Sequence, residues 1–178
     1  QEHRSPLTGA TQTQELLGAR WATRVEYHNT SVGDARLLWA FLGQMRGRSG
    51  RVYVPNFGRP RPHGVGGGTP VVDGGSQTGS TLAISGGPLS TSGWLLPGDM
   101  IGFGGVMHMV TASTATDGTG DASVAIAPPL RSSPSNGATI TLVRPTVTMM
   151  LASDRNGSSY EPGHLNRHTF VFDLLEVF

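Results

Sequence analysis

The chain has 178 residues, of which 37% are hydrophobic and only 14% are charged, and its formal net charge is +1. Disordered chains combine low hydrophobicity with high net charge, so this composition predicts a folded chain whose surface is built from Ser, Thr, Gly and backbone. The absence of Cys excludes disulfides, thiolate catalysis and zinc–thiolate or iron–sulfur sites, and no apolar run reaches the roughly 18 residues of a membrane-spanning helix.

A strand followed by a helix is predicted after a polar N-terminal stretch that we expect to form an extended arm or loop. Residues 20–28 alternate between apolar and polar side chains, which is typical of a half-buried strand. In residues 31–46 the apolar positions follow a helical spacing, which predicts an amphipathic helix of about three turns. Thr30 or Ser31 can cap the start of this helix, and Arg46 lies at its end.

The middle of the chain combines Gly- and Pro-rich loops with short strands. Residues 55–75 are dominated by Gly and Pro and are predicted to be a loop or linker. Close-set apolar runs between turn signals then predict a small barrel or sandwich. The predicted strands are residues 81–84, 100–103, 106–110, 123–127 and 139–143. Pro128 and Pro129 are expected to stop the fourth of them.

Two longer strands are predicted near the C-terminus, at residues 146–152 and 168–178, with a loop at residues 153–164 between them. The last one is apolar on both faces, and such a strand is buried on both faces. In so small a protein, the second cover is expected to come from another subunit.

The predicted fold is mainly β with one amphipathic helix. Strand, helix and strand at the start would join the two C-terminal strands in a β-sandwich, made of residues 1–69 and 144–178. Residues 70–143 would form an inserted small β-barrel or sandwich module of short strands. Insertions of this kind are tolerated where the two chain ends meet in one domain.

The sequence predicts no catalytic, cofactor-binding or metal-binding residues. A Ser/His/Asp set can be drawn from Ser76 or Ser80 with Asp99 and His108, but a Ser-rich chain produces such triples by chance. The stretch 117–121 (DGTGD) lacks the remaining ligands of a calcium loop and predicts a tight turn. Of the six His residues, only His164 and His168 are close in sequence. Four apart, they would share a helix face, but Pro162, Gly163 and the strand that follows argue against a helix there. We therefore expect no enzymatic activity and no cofactor.

All thirteen basic residues are Arg, a side chain whose planar fork suits interfaces and two-point pairing. A run of five crosses the helix end and the following loop: Arg46, Arg48, Arg51, Arg59 and Arg61. Pairing with Asp or Glu of another subunit is the favoured interpretation. A nucleic-acid surface and a merely solvated loop are the open alternatives.

Three apolar residues are further interface candidates. Trp94 lies in a loop-rich stretch between Gly93 and Leu95, and Trp is enriched among residues that dominate binding energy. Phe172 and Val177 are candidates on the two faces of the last strand. The other two indoles, Trp21 and Trp39, are predicted to be in the core.

The order and spacing of several stretches resemble minor tail proteins of long-tailed bacteriophages, in particular distal tail proteins. These stretches are residues 20–27 (RWATRVEY), 35–47 (ARLLWAFLGQMRG), 51–54 (RVYV), 77–82 (QTGSTL), 96–101 (LPGDMI), 107–110 (MHMV), 120–122 (GDA), 126–131 (IAPPLR) and 172–176 (FDLLE). The resemblance covers roughly residues 5–178, and none of its motifs is catalytic.

The resemblance implies a non-enzymatic virion subunit that assembles in the host cytoplasm. It would form a ring, commonly a hexamer, beneath the last ring of the tail tube, with hub or tip proteins of the baseplate on its other side and DNA only as passing cargo. The sandwich would form the ring, and the inserted module would decorate it. The alternatives are a carbohydrate- or receptor-binding module and, less favoured, a cell-wall hydrolase.

Overall fold

A computed structural model describes residues 2–4, 11–13, 18–154, 157–161 and 167–177. Its elements in chain order are β1 (Glu2–Arg4), β2 (Thr11–Thr13), β3 (Ala22–Thr30), α1 (Val32–Met45), β4 (Val52–Pro55), β5 (Val71–Val72), β6 (Gly79–Ser85), β7 (Met100–Phe103), β8 (Val106–Val110), β9 (Ala122–Leu130), β10 (Thr146–Leu151), β11 (Ser158–Glu161) and β12 (Arg167–Glu176). A short 3₁₀ turn, Gly47–Ser49, follows α1. Strands β1 and β2 pair only with each other.

A five-stranded antiparallel sheet joins both ends of the chain. Its central strand, β12, pairs with β3 along one edge and with β11 and β10 along the other, and β4 follows beyond β10. In this register Phe172 lies opposite Val25, and Val147 lies opposite Val54. Because β3 and β4 precede the central part of the chain and β10–β12 follow it, the sheet holds that part as an insertion between β4 and β10.

Helix α1 covers one face of this sheet. The Ser31 hydroxyl accepts a hydrogen bond from the Asp34 amide at 3.2 Å, and Asp34 places an acid in the first turn, where the helix dipole favours it. Arg46 ends the helix with φ 47°, in the left-handed region. On the buried side, the ring of Phe41 meets that of Phe172 edge-on, with centroids 5.7 Å apart.

Two apolar residues of α1 lie farther from the core than the sequence predicts. Leu37 follows the apolar spacing but is 71% exposed. Trp39 was expected in the core, yet it is 46% exposed and contacts Phe170 only with its edge, at a centroid distance of 5.4 Å. Periodicity marks the apolar side of a helix, but it does not show how far the partner surface extends.

The inserted segment forms a second five-stranded sheet in the order β5-β6-β9-β8-β7. Isolated bridges of Thr139 and Thr141 continue it, where the sequence predicts a regular strand over residues 139–143. The sheet curls around its own apolar core: Val72, Leu82, Ile84, Trp94, Leu95, Ile101, Phe103, Val110, Val124, Ile126, Leu130, Ile140 and Leu142.

The β7–β8 hairpin belongs to both layers. Its alternating side chains divide between the two cores, since Ile101 and Val110 point into the core of the insertion while Met100 and Met107 pack with the core under α1. At the hairpin turn the Gly105 carbonyl accepts from the Thr148 amide of β10 at 2.7 Å. This hairpin therefore fastens the inserted module to the sheet that carries it.

The predicted fold class is confirmed: the chain is mainly β, with a single helix and two curled antiparallel sheets in the part that the structure describes. Three local predictions were wrong. Strand β9 runs through Pro128 and Pro129 to Leu130, because its ladder to β6 is irregular there and does not need both proline positions as donors. Short strands also occur at Val71–Val72 and Ser158–Glu161, where loops were expected.

Candidate interaction surface

Five arginines follow the course of edge strand β4, and we call them the basic strip: Arg46, Arg48, Arg51, Arg59 and Arg61. The first three lie at the end of α1, in the 3₁₀ turn and just before β4; the other two lie in the loop beyond it. All five are exposed. A strand of four residues spans roughly 13 Å, so the two groups flank β4 at its two ends.

The guanidinium groups of the strip are not neutralised by the carboxylates that the structure describes. None lies within ion-pair distance of a carboxylate among the described residues. Arg51 Nη1 instead donates to the carbonyls of residues 48, 49 and 50 at 2.9–3.1 Å, and Arg59 Nη1 donates to the Gly98 carbonyl at 2.7 Å. The nearby Asp154 carboxylate accepts from the Arg48 backbone amide at 2.8 Å. Two of the five charges are thus held in place by carbonyls that leave them positive.

Two aromatic rings lie exposed between the two groups of arginines. Tyr53 on β4 is 71% exposed, and Phe57 just beyond β4 is 67% exposed. Within the described residues, β4 pairs with β10 along one edge and with no strand along the other. Exposed aromatics, fixed arginines and a free strand edge together are typical of a surface that binds a partner.

A buried carboxylate anchors the loop that carries Arg59 and Arg61. Asp99 is 3% exposed and accepts from the backbone amides of His63, Gly64 and Leu96 at 2.6, 3.1 and 2.8 Å. Hydrogen bonds from backbone amides to a carboxylate are charge-assisted and stronger than neutral ones, so several of them hold the loop in place. The sequence marks Asp99 only as a possible catalytic acid, because two of its three amide donors, those of His63 and Gly64, lie more than thirty residues away.

The buried ion pair of the chain was missed by sequence reasoning. Arg131, at the end of β9, binds both carboxylate oxygens of Glu176 on β12, at 3.0 and 3.1 Å. Glu176 Oε2 also accepts from the Trp21 amide at 3.0 Å, and Arg131 Nη2 donates to the Ala19 carbonyl. The inserted module, the segment that leads into β3 and the last strand therefore meet at one carboxylate.

His108 lies beside this ion pair. Its imidazole stacks on Phe103 with centroids 5.2 Å apart, and Nδ1 is 2.7 Å from the Pro128 carbonyl oxygen. A cavity of about 260 Å³, lined also by Arg131 and the residues 132–135, opens next to it. Burial lowers the pKa of His108 from its ordinary value, against the opposing effects of the Pro128 carbonyl and the Glu176 carboxylate.

The three apolar interface candidates lie in different environments. Trp94 is fully buried in the core of the inserted module, with Nε1 donating to the Gly67 carbonyl at 3.3 Å, so the expectation of a surface indole is wrong. Phe172 is 3% exposed and belongs to the core under α1, so its ring is not at the surface of the chain. Val177 follows β12 and is half-buried.

The proposed catalytic triple is not assembled. Asp99 is engaged with backbone amides, and His108 Nδ1 with a backbone carbonyl, while Ser76 and Ser80 are exposed. The 117–121 stretch forms a turn in which Asp117 accepts from the amides of Thr119 and Asp121 at 2.8 and 2.9 Å. No group of three potential metal ligands occurs among the described residues, and His164 lies outside them.

No protein-family model and no curated protein sequence matches the chain. In the part of the chain that the structure describes, no helix combines the length and the apolar character needed to cross a membrane.

Proposed function

We propose that the chain is a non-enzymatic structural subunit of a phage tail. In this proposal it forms a ring, expected to be hexameric, at the distal end of the tail tube and joins the tube to hub or tip proteins. DNA would only pass through, and the location would be the tail of the virion. The family in this proposal comes from the resemblance of the motif order to distal tail proteins. The surface of the five-stranded sheet that contains β12 supports self-assembly.

The observation that carries the proposal is the outer face of this sheet. Phe170, Phe172 and Leu174 of β12 are buried under α1, whereas Val171 and Leu175 on the opposite face stay only half-buried. Met150 lies opposite Leu175 in the register and is also half-buried. The exposed Asp173 lies between Val171 and Leu175 on this face. The apolar side chains on either side of it gain free energy when a second surface covers them, at about 25 cal/mol per Å² of apolar area.

The low charge of the chain also supports assembly. With 14% charged residues and a net charge of +1, the surface offers little electrostatic repulsion between copies. The carboxylate and imidazole that could serve catalysis, those of Asp99 and His108, hold backbone groups instead, which favours a structural role over a catalytic one.

The mass of the purified chain in solution, measured by light scattering together with negative-stain images, tests the proposal. We expect a closed ring of several copies. Leu175→Asp should weaken assembly while preserving the far-UV circular dichroism, because a further charge on the outer face opposes its coverage. Arg36→Glu, at an exposed position of α1 on the opposite face of the sheet, is the control. A chain that stays monomeric at all accessible concentrations contradicts the ring.

The exposed rings of Tyr53 and Phe57 favour one alternative, a carbohydrate- or receptor-binding module of a virion. Sugars stack on such rings, so this alternative predicts saturable binding on a glycan array that Tyr53→Ala abolishes. If the chain is monomeric and binds glycans in this way, the binding-module function is favoured over the ring. A ring without glycan binding would remove the alternative.

A further inference from the structure

The basic strip has a counterpart of opposite charge on the same molecule. Asp73, Asp117 and Asp121 line an open depression on the inserted module, together with Ala83 and other small or polar residues. We call these three carboxylates the acidic depression. None of them is within ion-pair distance of a cation among the described residues, and no arginine lines the depression.

Internal hydrogen bonds favour the charged form of Asp117 and hold the 117–121 turn in place. The backbone amide of Asp121, followed by the hydroxyl and amide of Thr119, lowers the pKa of Asp117. The Thr119 hydroxyl also contacts Asp121 Oδ2 at 2.9 Å. On the other surface, carbonyls hold the guanidinium groups of Arg51 and Arg59. Both surfaces therefore present charges that need little ordering before they pair.

We infer that the basic strip of one copy binds the acidic depression of the next copy in the assembly. This inference rests on the proposed function and names the contact that would build its ring. The two surfaces belong to different layers of the molecule, the strip to edge strand β4 and the depression to the inserted module. A contact between two different surfaces is head-to-tail, and such contacts generate rings when the rotation between copies closes.

A second copy fits the strip better than a nucleic acid does. A polyanion would need only the arginines and the rings, whereas a protein partner also uses the free edge of β4 and supplies carboxylates for two-point pairing. The chain carries such carboxylates, without cationic partners of their own, in one place. Binding of nucleic acid to the strip is the alternative result that the experiment below distinguishes.

The experiment uses charge reversal on each surface of the full chain. Arg46→Glu/Arg48→Glu/Arg61→Glu changes the formal charge of the strip from +5 to −1 and keeps Arg51 and Arg59, whose guanidinium groups are held by carbonyls. Asp73→Arg/Asp121→Arg changes the formal charge of the depression from −3 to +1 and keeps Asp117, the acceptor of the 117–121 turn. Each variant alone should need at least about tenfold higher concentration to assemble, since like charges face each other across the contact. Arg36→Glu, at an exposed arginine on α1 away from the strip, should assemble like the wild type.

Mixing the two reversed variants separates a broken contact from a broken fold. In an alternating assembly, the reversed strip meets the reversed depression and the unchanged strip meets the unchanged depression. We expect the mixture to regain assembly that neither variant shows alone, as measured by light scattering at equal total concentration. Circular dichroism and thermal unfolding of each variant check its fold.

The other outcomes are distinct. Variants that assemble like the wild type would overturn the contact while leaving the ring in place. A mixture that fails to recover, with both variants folded, would also overturn it. Loss of binding to a fluorescent single-stranded oligonucleotide in Arg46→Glu/Arg48→Glu/Arg61→Glu, with assembly unchanged, would assign the strip to nucleic acid. A wild-type chain that never assembles would refute the proposed function itself, and the inference with it.

Discussion

The guanidinium of Arg131 donates two hydrogen bonds, of 3.0 and 3.1 Å, to the fully buried carboxylate of Glu176, which lies forty-five residues later in the chain. Glu176 occupies a position on β12 that continues the buried row of Phe172 and Leu174. A carboxylate in such a place is stable only when it is paired and hydrogen-bonded. The pair therefore couples the folding of the inserted module to that of the sheet that carries it.

Removing one partner of this pair should destabilise the whole chain. Arg131→Met is expected to lower the free energy of unfolding by about 3–5 kcal/mol, because it leaves a buried carboxylate without its counterion. In the background of Glu176→Gln, which removes the charge but keeps an acceptor for the Trp21 amide, the same substitution should cost less. Urea unfolding of the four proteins measures the coupling.

Arg24→Met is the control for that cycle, since Arg24 contacts Glu26 at the surface with a side chain 61% exposed and such pairs contribute about 0–1 kcal/mol. Equal costs of Arg131→Met in both backgrounds would show that Arg131 acts through packing alone.

The buried imidazole of His108 should make stability fall in acid. Burial is the largest cause that lowers its pKa in the folded chain, whereas the unfolded chain keeps the ordinary value of about 6.5. The unfolded state therefore binds more protons as pH falls below about 6.5, and the free energy of unfolding decreases there. Urea unfolding between pH 8 and pH 5 should show this loss in the wild type.

His108→Gln should reduce that dependence on pH, because an amide can still donate to the Pro128 carbonyl but does not titrate. The matched control is His63→Gln, at an exposed loop position, which should keep the wild-type slope. A slope that survives in His108→Gln would assign the acid sensitivity to other groups.

Local sequence patterns predict the helix and most of the strands, but they carry no information about contacts between residues that are distant in sequence. Alternation predicts β3, spacing predicts α1 with its Ser31 cap, and turn signals predict the β7 and β8 boundaries. The burial of Trp94 depends on backbone from the 64–67 loop, and that of Glu176 on Arg131. Neither partner is near in sequence, so the loop-rich surroundings of Trp94 suggested an interface position for the indole, and nothing in the sequence marked the carboxylate.

Trp94 and Tyr53 should respond in opposite ways to truncation. Trp94→Ala removes a fully buried indole from the core of the inserted module and should cost about 3–5 kcal/mol in free energy of unfolding. Tyr53→Ala, at a position 71% exposed, should change stability by no more than about 0.5 kcal/mol. Urea unfolding compares the two. A Trp94→Ala variant of wild-type stability would contradict the burial of this indole.

Asp99 should control the order of the loop that carries Arg59 and Arg61. Asp99→Ala leaves the amides of His63, Gly64 and Leu96 without their acceptor and should lower the free energy of unfolding by about 2–4 kcal/mol.

Hydrogen exchange gives the local readout for this loop. The amides of His63 and Gly64 should exchange faster in Asp99→Ala, while those of β12 follow only the global loss of stability. Asp73→Ala, at an exposed carboxylate, should leave both unchanged. If the loop amides kept their protection in Asp99→Ala, another group would hold the loop, and the fixed placement of Arg59 would no longer depend on this carboxylate.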